Sequence, residues 1–158
     1  MTETADPGIF SRMKSGDSLG VLLSVTGENR SPNGDEPETI RVVTLGTLLR
    51  LDDGWELKYT ESDPDGNGSQ KVVITLTDGR AVMERTGDFS TTMVFEKGRR
   101  FDGAYRTPWG DLAMGIYTIQ VNASFGEEQA SLRLVYQVDI QGRFTAMHDL
   151  TLRLAPNE

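Results

Sequence analysis

Six side chains that can form hydrogen bonds or transfer protons stand out because each one alternates with apolar neighbours in a strand-like segment. In one segment Leu57, Tyr59 and Glu61 share a parity, and further along Arg85 shares the parity of Met83. Successive side chains of a strand point to opposite faces, so residues of one parity face the same way. If the apolar sets face an interior, the polar residues point there too. The six residues predicted to face inward are Tyr59, Glu61, Arg85, Tyr105, Tyr136 and His148.

Glu61 and Arg85 are the two charged residues among the six, and their charges are opposite. A charge in an apolar interior is strongly unfavourable unless it is paired and hydrogen-bonded, so we expect these two side chains to form an ion pair. Two interpretations of the six residues then stay open. They are either a satisfied polar cluster that ties strands together, or the polar floor of a pocket whose apolar walls accept a small ligand.

The same residues do not match a known catalytic arrangement. His148 is the only histidine, so a histidine metal cluster is impossible, and neither Ser131 nor Thr151 lies in a nucleophile-elbow sequence. Glu56 has the opposite parity to Glu61, which argues against paired carboxylates of the glycosidase type. The sequence therefore assigns no catalytic residue, no metal ligand and no cofactor, and it favours a protein that is not an enzyme.

The segment at residues 63–68, Asp-Pro-Asp-Gly-Asn-Gly, matches the opening of a calcium-binding loop. Such a loop needs a bidentate Glu at its twelfth position, but that position holds Ile74, and strands rather than helices flank the segment. Asp, Asn, Gly and Pro are also the residues that turns select. We expect a hairpin turn here, with weak surface binding of a cation as the alternative.

A basic cluster at Lys97, Arg99, Arg100 and Arg106 is the only local reversal of the acidic charge balance. Charged residues at a hairpin protect strand edges from pairing with other chains, so a solvated hairpin tip is the first interpretation. Contact with the anionic headgroup of a ligand, or with an acidic partner, is the second.

Composition limits the classes of partner and location. The 158 residues include 24 Asp and Glu against 16 Lys and Arg, a formal net charge of −8 that repels phosphate backbones. Nucleic acid is therefore not an expected partner. The chain has no cysteine, which favours the cytoplasm, and its first residues are acidic where an export signal would be basic. No apolar run reaches the ~18 residues of a membrane span, so no membrane association is expected.

Alternation of apolar and polar residues, interrupted by glycine-containing turns such as Asp78-Gly79 and Gln141-Gly142, predicts an all-β chain. No helical period of comparable length occurs. The polar stretch at residues 27–37 is predicted to be a surface loop and a candidate lid. The predicted strands span residues 19–25, 38–51, 55–62, 70–77, 80–86, 89–96, 101–106, 109–125, 129–140 and 143–154.

Consecutive hairpins would leave two exposed edges in an open sheet, whereas closure removes them. The sequence therefore predicts one antiparallel up-and-down meander barrel of about 8–10 strands, with a two-sheet sandwich as the alternative. We expect residues 1–17 to form a mobile N-terminal tail with one docked turn near Phe10. Residues 18–154 are then the barrel domain, and residues 155–158 are the C-terminal tail.

One block carries a family resemblance. Residues 103–112 read Gly-Ala-Tyr-Arg-Thr-Pro-Trp-Gly-Asp-Leu, and Leu-Val-Tyr at residues 134–136 and the turn at residues 141–142 follow. With Gly46 and the stretch at residues 59–62, these motifs resemble the YwiB-like family of small bacterial proteins. The resemblance implies a calycin-like barrel, similar to lipocalins and fatty-acid-binding proteins, but it does not imply their ligands. The family's function is unknown, so it supplies no site residues.

Three classes of function stay open. The first is a non-enzymatic intracellular barrel that binds a small apolar or amphipathic molecule in its lumen through the six inward residues. The second is an interaction module with a filled barrel, because strands such as residues 41–49 carry apolar residues at both parities, which suggests a homo-oligomer. The third, an enzyme, would have only Glu61, Arg85 and His148 to use.

Overall fold

The computed structural model describes residues 8–33, 36–62, 68–126 and 129–157, which form ten strands and one short helix. The elements are α1 (Ile9–Arg12), β1 (Ser18–Arg30), β2 (Glu38–Arg50), β3 (Gly54–Ser62), β4 (Ser69–Thr77), β5 (Arg80–Thr86), β6 (Ser90–Glu96), β7 (Arg100–Thr107), β8 (Gly110–Phe125), β9 (Ala130–Ile140) and β10 (Arg143–Pro156).

Each strand pairs antiparallel with its neighbours along the chain, and the sheet closes on itself. Closure occurs between the first and last strands, where β1 pairs with β10 from Val21 opposite Pro156 to Arg30 opposite Met147. The prediction of an all-β antiparallel meander barrel is confirmed.

Two of the hairpins explain why the sequence turns where it does. Asp78 and Gly79 both have positive φ, at 38° and 77°, and Gln141 and Gly142 have φ of 53° and 79°. Two-residue hairpin turns of type I′ require positive φ at both central positions, because that twist matches the twist of the flanking strands. These turns fix the register of β4 against β5 and of β9 against β10.

Pairing around the ring is uneven. β2 pairs with β3 only from Gly46 to Arg50, and the β6–β7 register consists of Ser90 with Arg106 and Thr91 with Tyr105. These two short seams divide the barrel into a smaller half, β3 to β6, and a larger half, β7 to β10 followed by β1 and β2.

The interior between the two halves is filled with apolar side chains. Met83 and Phe95 of the smaller half and Ile116 and Leu134 of the larger half are fully buried, as is Phe10 of α1. Full burial of such a side chain stabilises the fold by about 1.5–3 kcal/mol. The centre of the barrel is therefore a packed core.

One predicted element is wrong in part. The stretch at residues 27–37 was expected to be a loop, but β1 continues to Arg30, with Glu28 opposite Asp149 of β10 and Thr39 of β2. Ladder hydrogen bonds on both sides hold this polar segment in a strand against its local turn preference. The lid role of the remaining loop stays a prediction, and part of that loop lies outside the described residues.

Three further predictions concern the calcium-like segment, the domain boundaries and the absence of a membrane span. Most of the calcium-like segment, residues 63–67, lies outside the described residues. The domain boundaries at residues 18 and 154 stay predictions; in the structure β10 continues to Pro156, and Phe10 of the expected tail packs into the core. No helix within the described ranges is long and apolar enough to cross a membrane.

Gly54, the first residue of β3, offers a test of the β3–β4 pairing. It is buried opposite Thr77, and a Cβ built on it would overlap the carbonyl oxygen of Leu76. We expect Gly54→Ala to lower the free energy of unfolding by about 1–3 kcal/mol, because backbone must move to admit the methyl group. Gly20→Ala, at a strand glycine with open space around it, is the control and should change stability by less than about 0.5 kcal/mol. The free energy of unfolding is measured by urea denaturation, and an equal decrease in the two variants would contradict this account.

Candidate functional site

Five of the six predicted inward residues come together at one end of the interior. Arg85 Nη1 donates a hydrogen bond to Glu61 Oε2 over 2.7 Å, so the expected ion pair is present. The Tyr59 hydroxyl donates to the other oxygen, Glu61 Oε1, over a longer 3.5 Å. Tyr136 and His148 of the larger half complete the group, which we call the polar cluster: Tyr59, Glu61, Arg85, Tyr136 and His148.

The ion pair in the polar cluster is half-buried. The side chains of Arg85 and Glu61 are 27% and 28% exposed, so water screens part of their attraction. Arg85 Nε is buried and has no hydrogen-bond partner among the described residues. A buried donor without a partner costs about 1–3 kcal/mol, so this end of the barrel is less than fully satisfied by the protein.

Tyr136 and His148 lie opposite each other on β9 and β10, and their rings stack with centroids 5.1 Å apart. Burial raises the pKa of Tyr136 to about 12 and raises the pKa of Tyr59 even further. Burial also lowers the pKa of His148 below its ordinary value. At neutral pH the cluster therefore presents two protonated phenols and a neutral imidazole beside one ion pair.

This arrangement suits recognition better than proton transfer. Both oxygens of Glu61 accept a hydrogen bond, one from Arg85 and one from Tyr59, so the carboxylate is held in one orientation within an ion pair. The cluster instead offers fixed donors and acceptors of the kind that orient a bound molecule.

Tyr105 does not join the polar cluster. It lies on β7 opposite Thr91, and its ring is 6.0 Å from that of Phe89, which in turn contacts the exposed Trp109. Tyr105 is partly buried against the core, as its parity predicts, but Thr91 lies between it and Arg85 in the same cross-strand row.

Two hollows lie on the outer wall, one at each seam, and most of their lining residues have the outward parity. A hollow of about 360 Å³ opens where β2 leaves β3 and is lined by Leu45, Lys58, Tyr59 and Lys71 among others. Another, of about 410 Å³, lies along the β6–β7 seam, and Arg85 contributes to its lining. The seams were missed in the sequence because strand parity carries no information about where neighbouring strands separate.

The predicted basic cluster is dispersed. Arg100 forms a two-pronged contact with Asp139 at 2.8 and 3.0 Å, which lowers the pKa of that carboxyl group, and Arg99 lies 3.7 Å from Glu96. Arg106 instead lines the hollow at the β6–β7 seam. Within the described ranges no three His, Cys, Asp or Glu side chains converge to hold a metal ion.

Comparison with known proteins gives a family and a fold. A family model described as "Domain of unknown function (DUF1934)" matches residues 23–152. Among solved structures, the crystal structure of the ywiB protein from Bacillus subtilis is similar, with a TM-score of 0.79 and 19% sequence identity over 89% of this chain and 94% of that chain. At that identity the likeness shows the fold alone. No curated protein matches the chain.

The lowered pKa of His148 predicts a loss of stability in mild acid. Above its ordinary pKa of 6.5 the imidazole is neutral in the folded and unfolded states and contributes no difference. As the pH falls through 6.5 the unfolded chain takes up a proton first, so the free energy of unfolding decreases until the folded state is protonated too.

We therefore expect urea unfolding to show a decrease in stability between about pH 7.5 and about pH 5.5 that is smaller in His148→Gln. Ordinary carboxyl groups titrate near pH 4, so they contribute little in that window. An unchanged pH dependence in the variant would show that burial of His148 does not hold it neutral.

Proposed function

Since the chain belongs to the DUF1934 family, whose function is unknown, we propose from the geometry that it binds a small, partly apolar molecule at the polar cluster. Membership in this family and the likeness to the ywiB protein confirm the resemblance to YwiB-like proteins. The observation that carries the proposal is the half-buried Glu61–Arg85 pair, in which Arg85 Nε is buried and has no hydrogen-bond partner among the described residues.

An apolar wall next to the cluster supports a ligand that is only partly polar. His148 lies opposite Asn29, and the next inward row of the larger half joins Ile40, Gly27 and Leu150. Ile40 is 55% exposed although it lies on the inner face. An exposed aliphatic side chain beside a polar cluster is the lining expected of a site for an amphipathic molecule.

The packed core limits where such a molecule can lie. Met83, Phe95, Ile116 and Leu134 fill the centre, so we place the ligand at the end of the barrel that holds the polar cluster rather than deep in the lumen. Binding there needs no covalent step, and the ion pair that Glu61 forms with Arg85 supports a role without catalysis. The cytoplasmic location stays a prediction.

The amphipathic dye 8-anilinonaphthalene-1-sulfonate is a suitable first probe, because its fluorescence rises when it leaves water for apolar surface. We expect saturable binding to the native protein, weakened at least tenfold in Arg85→Gln, because that variant removes the guanidinium group at the proposed site. The dissociation constant is measured by fluorescence titration.

Arg133→Gln is the matched control. Arg133 forms an ion pair of the same length, 2.7 Å, with Asp149, and the two residues line a separate hollow of about 520 Å³ on the outer wall. Binding at that rival site would be weakened by Arg133→Gln and not by Arg85→Gln. Such a result, or a dye that never saturates, would overturn the proposed site.

Native mass spectrometry of the purified protein, before and after denaturing extraction, tests the proposal without a chosen probe. We expect a small molecule that is retained by the native protein and by Arg133→Gln and lost from Arg85→Gln. A molecule retained equally by all three proteins would place the site elsewhere.

A further inference from the structure

Among the described residues, one edge of β2 has no strand beside it over more than half of its length. Pairing with β3 begins at Gly46 opposite Tyr59, and residues 38–45 have no partner on that side among the described residues. The bond from Leu51 N to Gly54 O shows that odd-numbered residues of β2 direct their peptide groups towards β3. The free edge therefore carries the N–H and C=O groups of Thr39, Arg41, Val43 and Leu45.

Both faces of this edge are apolar. Val43 and Leu45 on the outer face are 61% and 58% exposed, and Ile40 and Val42 are exposed on the inner face. Natural proteins protect unpaired edges with charges, bulges or coverage, because a long apolar edge is a template for another strand. Here Arg41 is the single charge in the interior of the free segment.

We propose that the free edge of β2 pairs antiparallel with the same edge of a second copy of this chain, about a twofold axis at Val42. In this register Arg41 lies opposite Val43 of the second copy, and Thr39 lies opposite its Leu45. All four outward-directed peptide groups of each copy are then hydrogen-bonded, which gives a ladder of eight bonds. The inference stands independently of the proposed ligand.

Neighbouring registers are worse for stated reasons. Moving the axis to Arg41 places two like charges directly opposite each other, which is destabilising. Moving it to Val43 sends Thr39 towards Thr47 of the second copy, whose peptide group already faces Lys58 of β3. The Val42 axis alone uses the whole free segment and stops where β3 begins.

The residue just before β2 fits the same register. Pro37 comes opposite Thr47 of the second copy, and proline has no N–H to leave unpaired where the partner backbone is occupied.

Sedimentation equilibrium of the full chain over a range of concentrations tests the association. We expect a concentration-dependent species of twice the 17.4 kDa of one chain. Val43→Lys should shift the dissociation constant at least tenfold towards monomer, since it places a second cation beside Arg41 of the other copy. Tyr117→Lys, the same change at an exposed outer residue of β8, is the control and should leave the dimer intact.

A cysteine substitution tests the register, because the chain has no cysteine of its own. In the proposed dimer Val42 lies opposite Val42 of the second copy in a non-hydrogen-bonded pair. The Cα atoms of such a pair are about 4.5 Å apart, a separation that a disulfide can span. We expect Val42→Cys to form a covalent dimer on mild oxidation and Val43→Cys, one residue along, to do so far more slowly.

Three outcomes would overturn the proposal. The proposal is wrong if the chain stays monomeric at every concentration, even if a segment of a different protein pairs with the free edge. A dimer that survives Val43→Lys but not Tyr117→Lys would place the interface on β8. Equal cross-linking rates for the two cysteine variants would exclude the Val42 axis.

Discussion

The hydrogen bonds between β1 and β10 are the interaction on which the rest of the structure depends, because they join the first and last strands of the chain. Without them the ten strands form an open sheet with two long edges and no enclosed face. When the sheet closes, alternate side chains of every strand face the interior. Closure also explains why the polar residues Glu28 and Asn29 are extended, since they pair with β10 on one side and with β2 on the other.

Backbone pairing is not equally long all round the barrel, and aromatic side chains also join the two halves across the interior. Trp55 of the smaller half stacks on Phe125 of the larger half at 4.1 Å, and Phe95 contacts Tyr136 at 4.7 Å. Aromatic contacts of this kind contribute about 0.5–1.5 kcal/mol beyond the area they bury. Tyr136 is shared between this packing and the polar cluster, so the cluster is fixed by the same contacts that hold the two halves together.

Much of the architecture could be predicted because the code for strands and tight turns is local. Glycine at the hairpin turns marked the ends of most strands, and parity placed Glu61, Arg85, Tyr136 and His148 on one interior face. Features that depend on neighbours far along the chain could not be predicted. The extension of β1 to Arg30 and the separation of β2 from β3 both result from tertiary pairing that no short window of sequence contains.

Gly46 is the residue of β2 at which the separation from β3 begins. A Cβ at this position would come within 2.9 Å of the carbonyl oxygen of Lys58, so the pairing of Gly46 with Tyr59 favours a residue without a side chain. Beyond them β3 continues with β4, while β2 continues with β1. The hollow beside Tyr59 and the free edge at Val43 are therefore two results of one divergence, which explains why they occur at the same end of the barrel.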